Sequence, residues 1–188
     1  GGAINIGNEL VTLDDVAMLN NRALEGGAIS VASPIATLTI TNSRMVNNTA
    51  VEDGGAINVN AAVPVSITAS TMSGNVAGSD GGGIYFISGG SFNLVRSTVS
   101  GNTANGTGGS FNLGGGGIYI IGIIGAEGFR IHNSTVSGNT HLSLPGGGIA
   151  LANITGTAEI LNSTIVGNKA SNGGGIARVG AVGSGIMT

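Results

Sequence analysis

Apolar and polar residues alternate along this chain in short runs, and the runs come in threes. In GGGIYF, Ile84 and Phe86 flank Tyr85; Phe92 and Leu94 form a second alternating pair, and Ser97 and Val99 a third. A period of two belongs to the β-strand, whose successive side chains point to opposite faces. The pattern therefore predicts three short strands, with Ile84, Phe86, Phe92, Leu94, Ser97 and Val99 facing inward and Tyr85 outward. Gly, Asn and Ser between the runs mark tight turns.

This three-strand unit recurs. The phrase GG[AG]I ends at Ile4, Ile29, Ile57, Ile84, Ile118, Ile149 and Ile176. A second phrase lies between its copies, best preserved as STVSGNT at Ser97–Thr103 and again at Ser134–Thr140. Self-similarity at such a period marks stacked repeats. The predicted fold is all-β: a right-handed parallel β-helix of about seven coils of roughly 27 residues, with three short strands per coil. Residues 1–188 are expected to form a single solenoid domain, a segment of a longer chain because GGAI opens it inside a repeat. The spacing widens at two places, which predicts enlarged loops at 103–117 and 121–128.

Aligned coils define columns. Leu13, Ile40, Ile67, Leu94, Ile131 and Ile160 make one aliphatic column, and Met18, Met45, Met72, Val99, Val136 and Ile165 another. One coil cannot bury these faces alone, so neighbouring coils must cover them. A third column is Asn21, Asn48, Asn75, Asn102, Asn139 and Asn168. An amide both donates and accepts, so stacked asparagines can satisfy one another along the axis. The residue before each is Asn20, Asn47, Gly74, Gly101, Gly138 or Gly167, the two types that tolerate a left-handed backbone. A positive-φ turn feeding an Asn ladder is predicted.

Composition narrows the function classes. Charged residues are 8% of the chain, against roughly 25% in ordinary domains. The net charge of −3 lacks the basic footprint of a nucleic-acid binder. With no Cys there is no disulfide or thiolate metal site, and no apolar run reaches membrane-helix length. Nucleic-acid binding and membrane insertion by this segment are therefore not expected.

Candidate chemistry is sparse. Glu25, Asp53 and Asp80 precede GG in consecutive coils. Carboxylates stacked at rung spacing repel unless screened or bridged by a hard cation, so these three are the candidate Ca²⁺ ligands; no other cofactor is expected. Asp14 and Asp15 read as a solvated turn. His132 falls in a chemically mixed, exposed column, and His141 is the only other histidine. Thr71, Thr98, Thr135 and Thr164 form an outward column that Ala17 and Arg44 interrupt, which reads as ordinary β-branched strand chemistry rather than an ice-binding array. Tyr85 and Tyr119 share an outward column beside the enlarged loops, a candidate aromatic platform for a sugar. Arg178 aligns with inward Ile6, Val31, Val59, Phe86, Ile120 and Leu151, so the coil is expected to open or reshape there.

The GGAI phrases at Gly1–Ile4, Gly26–Ile29 and Gly54–Ile57 resemble the GGA[ILV] repeat of the polymorphic outer-membrane protein autotransporters. Their FxxN motif is matched in spacing by Met45–Asn48, Met72–Asn75, Val99–Asn102, Val136–Asn139 and Ile165–Asn168, with Met, Val or Ile in place of Phe. The resemblance implies the pectate-lyase-like solenoid class and a surface-displayed, often adhesive passenger. The expectation is a non-enzymatic extracellular or cell-surface solenoid of a bacterium: passenger, stalk or fibre subunit. Its expected partners are a glycan or host-surface ligand, or further copies joined end to end through open strand edges. A polysaccharide lyase or hydrolase, or a carbohydrate-binding solenoid, is the alternative.

Overall fold

A computed structural model describes residues 1–87, 89–107, 114–122, 128–155 and 157–179. They wind into a parallel β-solenoid of about six coils of ~27 residues, carried by four parallel sheets. The first sheet holds seven strands, from Ile4–Ile6 through Ile84–Ile87 to Ile176–Val179, and each begins at the Ile of GG[AG]I. The second runs from Leu10–Asp14 to Ala158–Leu161 and the third from Ala17–Leu19 to Thr164–Val166, with six strands each. Register follows the columns read from the sequence: Ile67 lies between Ile40 and Leu94, and Met72 between Met45 and Val99.

The fourth sheet adds to the three expected strands. Its members are two residues long: Arg22–Ala23, Thr49–Ala50, Val76–Ala77, Thr103–Ala104 and Thr140–His141. Two residues cannot display an alternation, so periodicity does not reveal them. They occupy the segment just after each ladder Asn. Thr103–Ala104, assigned from spacing to an enlarged loop, is one of these strands, and Gly114–Gly117 leads into the next coil. The remainder of both enlarged loops includes 108–113 and 123–127, which lie outside the described residues.

The core runs unbroken along the axis. Ile40, Ile67, Leu94 and Ile131 are fully buried, as are Met45, Met72, Val99 and Val136. Phe92 stacks on Phe129 at 5.5 Å and meets Phe86 edge-on at 5.6 Å. Each such side chain contributes roughly 1.5–3 kcal/mol when fully buried.

Polar ladders hold the corners. Asn48 donates its main-chain N–H and its Nδ2 to Asn75 Oδ1 at 2.9 and 3.0 Å, and Asn75 does the same to Asn102 Oδ1. The spare Nδ2 proton of each goes to a carbonyl one coil back, such as Met45 O for Asn75. The preceding residues all adopt positive φ, from +56° at Asn47 to +66° at Gly167, as their Gly/Asn composition requires. A second ladder is made by serine: the N–H groups of Ser43, Ser70, Ser97 and Ser134 donate to Oγ of Ser70, Ser97, Ser134 and Ser163. Each hydroxyl donates in turn to the carbonyl two residues earlier, as Ser97 does to Val95 at 2.8 Å. STVSGNT thus carries one member of each ladder. The second Gly of GG answers a close approach, since a Cβ on Gly55 would sit 2.0 Å from Gly82 O.

Arg178 pairs in register with Leu151, as its column predicts, but the strand does not open. Its side chain is exposed, and Nη2 lies 3.5 Å from Ile154 O. A long, flexible stem lets the guanidinium reach water while the backbone stays paired.

Candidate functional site

The residues with the most chemistry meet at the corner between the fourth and first sheets. There the first Gly of the GG[AG]I phrase lies against the outer face of the first sheet: a Cβ on Gly115 would lie 2.8 Å from Tyr119 Cβ, and one on Gly146 would lie 2.7 Å from Ala150 Cβ. The outer column of that sheet is consequently covered. Ser30, Asn58, Tyr119 and Ala150 are buried although they point away from the axis. Tyr119, Ala150 and Ala152, with Tyr85 and Ile121 packed against them, form a second small core there.

This burial corrects the expected sugar platform. Tyr85 and Tyr119 do stack on adjacent coils, with centroids 5.2 Å apart and rings inclined at 35°. Tyr119, however, has no exposed surface and Tyr85 is only partly exposed, so the pair presents no open aromatic face. Burial, followed by the negative charges of Asp53, Asp80 and Glu25, holds the Tyr85 phenol above its ordinary range. Burial also raises that of Tyr119, with Asp80 the next cause. Both remain neutral phenols.

The expected cation ligands occupy the same corner but do not converge. Asp53 Oδ1 accepts the Asp80 N–H at 3.0 Å, and Asp80 Oδ1 accepts the Gly114 N–H at 3.2 Å, so each carboxylate caps the next rung. The relay stops without an orphan: Gly114 has no side chain to accept, and Pro145 above it has no N–H to offer. Among the described residues, no group of three or more Asp, Glu or His is placed to hold a metal. Asp53 and Asp80 thus cap successive rungs of this column. Burial pushes the Asp53 carboxyl up to about 6, and nearby Asp80, Glu25 and Glu52 add to this against the opposing Asp80 N–H bond. Asn58 Oδ1, in the covered column, is the one buried side-chain acceptor without a partner among the described residues.

His141 is the residue that sequence reasoning passed over. It stands in the fourth sheet's column of Ala50, Ala77 and Ala104, where a large polar side chain is out of character. Its Nδ1 accepts the N–H groups of Leu144 at 2.9 Å and Ser143 at 3.3 Å, so the proton resides on Nε2. Nε2 faces Asp80 Oδ1 at 3.4 Å, across 61 residues of sequence. Both side chains are essentially inaccessible. A general acid or base must reach its substrate, and this pair does not; it ties the coils together. The exception to an alanine column was the available signal. His132, expected on an exposed variable column, is part-exposed and lies 2.8 Å from Glu159 Oε2, which also has Arg130 Nε at 3.5 Å. Surface pairs of this kind stabilise by about 0–1 kcal/mol.

A second feature lies at the corner between the second and third sheets. Asp15, Asn42, Ala69, Arg96, Asn133 and Asn162 stack there, all with φ between +48° and +55°. Asn and Asp tolerate this conformation; Ala and Arg do so at a cost of roughly 1–2 kcal/mol. Across the first three coils the surface sinks into a groove of about 420 Å³, lined by Asp15, Asn42, Ser43, Arg44, Ala69, Thr71 and the small side chains of Val16 and Ala17. Asp14 Oδ1 accepts bonds from Thr41 Oγ1 at 2.8 Å and Asn42 Nδ2 at 3.0 Å, which hold the Asp14 carboxyl below its ordinary value and fix the Asn42 amide. Arg44 makes no ion pair among the described residues.

No protein-family model, curated protein or solved structure matches the chain.

Proposed function

We propose that this chain is a non-enzymatic structural and adhesive β-solenoid displayed outside the cell, acting as a surface passenger, stalk or fibre subunit. The reading keeps the right-handed, pectate-lyase-like class and the autotransporter-type passenger that the GGAI and FxxN-spaced repeats resemble. One observation carries it: the ladder and cap residues of the interior are engaged in holding rungs together. The Asn ladder, the Ser ladder and the carboxylate caps at Asp53 and Asp80 bond from coil to coil, and the Asp80–His141 pair is sealed from solvent. Such a chain is a stack of coils whose exposed outer positions are free to vary.

The experiment has two arms. Beads or cells displaying the chain should adhere to polysaccharide-coated or host-cell surfaces more than bare controls do. Purified protein incubated with pectic, alginate and β-glucan substrates should release neither reducing ends nor unsaturated uronate. Turnover above a heat-denatured control would overturn the non-enzymatic reading, and adhesion equal to the bare control would overturn the adhesive one.

A further inference from the structure

We propose that the groove over Ala69 is a saccharide-binding site that takes the vicinal hydroxyls of a neutral pyranose within a polysaccharide. The proposal deepens the adhesive reading above and rests on it for its biological setting.

Two short side chains, Ala17 and Ala69, line the groove. In the positive-φ column, Asp15, Asn42, Arg96, Asn133 and Asn162 all carry polar side chains, and only Ala69 is short. At φ +49° alanine is also the less comfortable choice, since Asn serves the same conformation in three other coils. The column departs from its Asn/Asp preference at Ala69, which lines the cavity, and at Arg96 one coil on. A local preference broken beside a cavity points to function.

The lining chemistry specifies the ligand. Asp15 offers only acceptors, Arg44 only donors, and the Thr71 hydroxyl both. Adjacent sugar hydroxyls, each donor and acceptor at once, satisfy a carboxylate and a guanidinium together. Asp15 and Arg44 offset one another and Asp14 adds a negative charge at the rim, which favours an uncharged ring over a uronate. The frame is rigid. Beneath it Val16 N–H donates to Ser43 Oγ, Ser43 N–H to Ser70 Oγ, and Arg44 N–H to Val16 O, so side chains rather than backbone face the ligand. Asp14 pins Asn42 at the rim. Rungs repeat at ~4.8 Å, close to the length of one sugar ring, so successive residues of a glycan can meet successive coils.

The test uses the intact chain and saturation-transfer NMR with cellotetraose, maltotetraose and mannotetraose, with tetragalacturonate as the charged counterpart. At least one neutral tetrasaccharide should bind. Ala69→Asn narrows the groove beside Thr71 and relieves the backbone, so it should raise the melting temperature while weakening binding roughly tenfold or more, the worth of about one charged hydrogen bond. It creates an Asn-Ser-Thr sequon, so a host without N-glycosylation is required. Arg44→Met should weaken binding similarly, and Tyr85→Phe should leave it unchanged. The proposal is overturned if no neutral tetrasaccharide binds at millimolar concentration, if only tetragalacturonate binds, or if Ala69→Asn binds as the parent does. Adhesion that survives both groove variants removes this site but leaves the adhesive reading standing. Loss of adhesion by the parent chain, with tetrasaccharide binding intact, does the reverse.

Discussion

Replacing Asn75 by alanine removes four side-chain hydrogen bonds from the interior of the solenoid at once. Its Nδ2 donates to Met45 O at 3.0 Å and to Asn102 Oδ1 at 2.9 Å, while its Oδ1 accepts from Asn48 N and Asn48 Nδ2 at 2.9 and 3.0 Å. The Asn75 main-chain N–H keeps its bond to Asn102 Oδ1, so that acceptor is not stranded. The cost falls on two donors of Asn48, a residue with no exposed surface. A buried donor without a partner costs about 1–3 kcal/mol, so the pair sets a range of about 2–6. The backbone N–H cannot move, but the Asn48 amide can turn toward a water in the space vacated, which puts the expected loss near 3 kcal/mol. That is a large part of the 5–15 kcal/mol typical of a whole domain. Urea unfolding followed by far-UV circular dichroism measures it. Asn168→Ala, at a partly exposed position where water can replace the amide, is the internal reference and should lose about 1 kcal/mol. A loss under ~1 kcal/mol for Asn75→Ala with unchanged m-value, or equal losses at both positions, would refute the ladder as a source of stability.

Three further outcomes are expected. Ser97→Ala strands the buried Ser70 N–H and should cost about 1–2 kcal/mol in the same assay; an unchanged midpoint would reduce the serine column to a turn preference. At Gly101, φ is +62° and an added Cβ would meet no atom within 4 Å, so conformation alone decides. Gly101→Asn should be nearly neutral and Gly101→Val should lose about 1–2 kcal/mol; equal melting temperatures would remove the positive-φ argument. Asp53 has a folded-state value of about 6 against an ordinary 3.8, so the native state holds the extra proton between them. Its contribution to stability is present below about 3.8 and is lost as pH rises through about 6. Asp53→Asn, which keeps an acceptor for the Asp80 N–H, should therefore gain stability relative to the parent at pH 7.5 compared with pH 4.5; a pH-independent difference would contradict this.

Much of the architecture is legible in the chain because a solenoid writes each structural demand once per coil. Ile67 between Ile40 and Leu94, Met72 between Met45 and Val99, and the whole Asn ladder lie where column alignment puts them, since the same local chemistry recurs at the same rung position. What column alignment leaves open is how one corner folds over another. Tyr119 alternates outward as its strand demands, yet it is buried, with the backbone of Gly115 lying against it. Asp53 and Asp80 align with Glu25 in sequence, yet each carboxylate turns to a neighbouring N–H instead of a shared ion. His141 finds Asp80 across 61 residues, a contact that no repeat announces because it occurs in one coil only. Ala69 is a single small residue in a polar column until the side chains around it are seen to leave a groove. Periodic features are determined by the sequence because every coil votes on them; the exceptions depend on contacts between non-equivalent positions, and only packing in three dimensions brings those together.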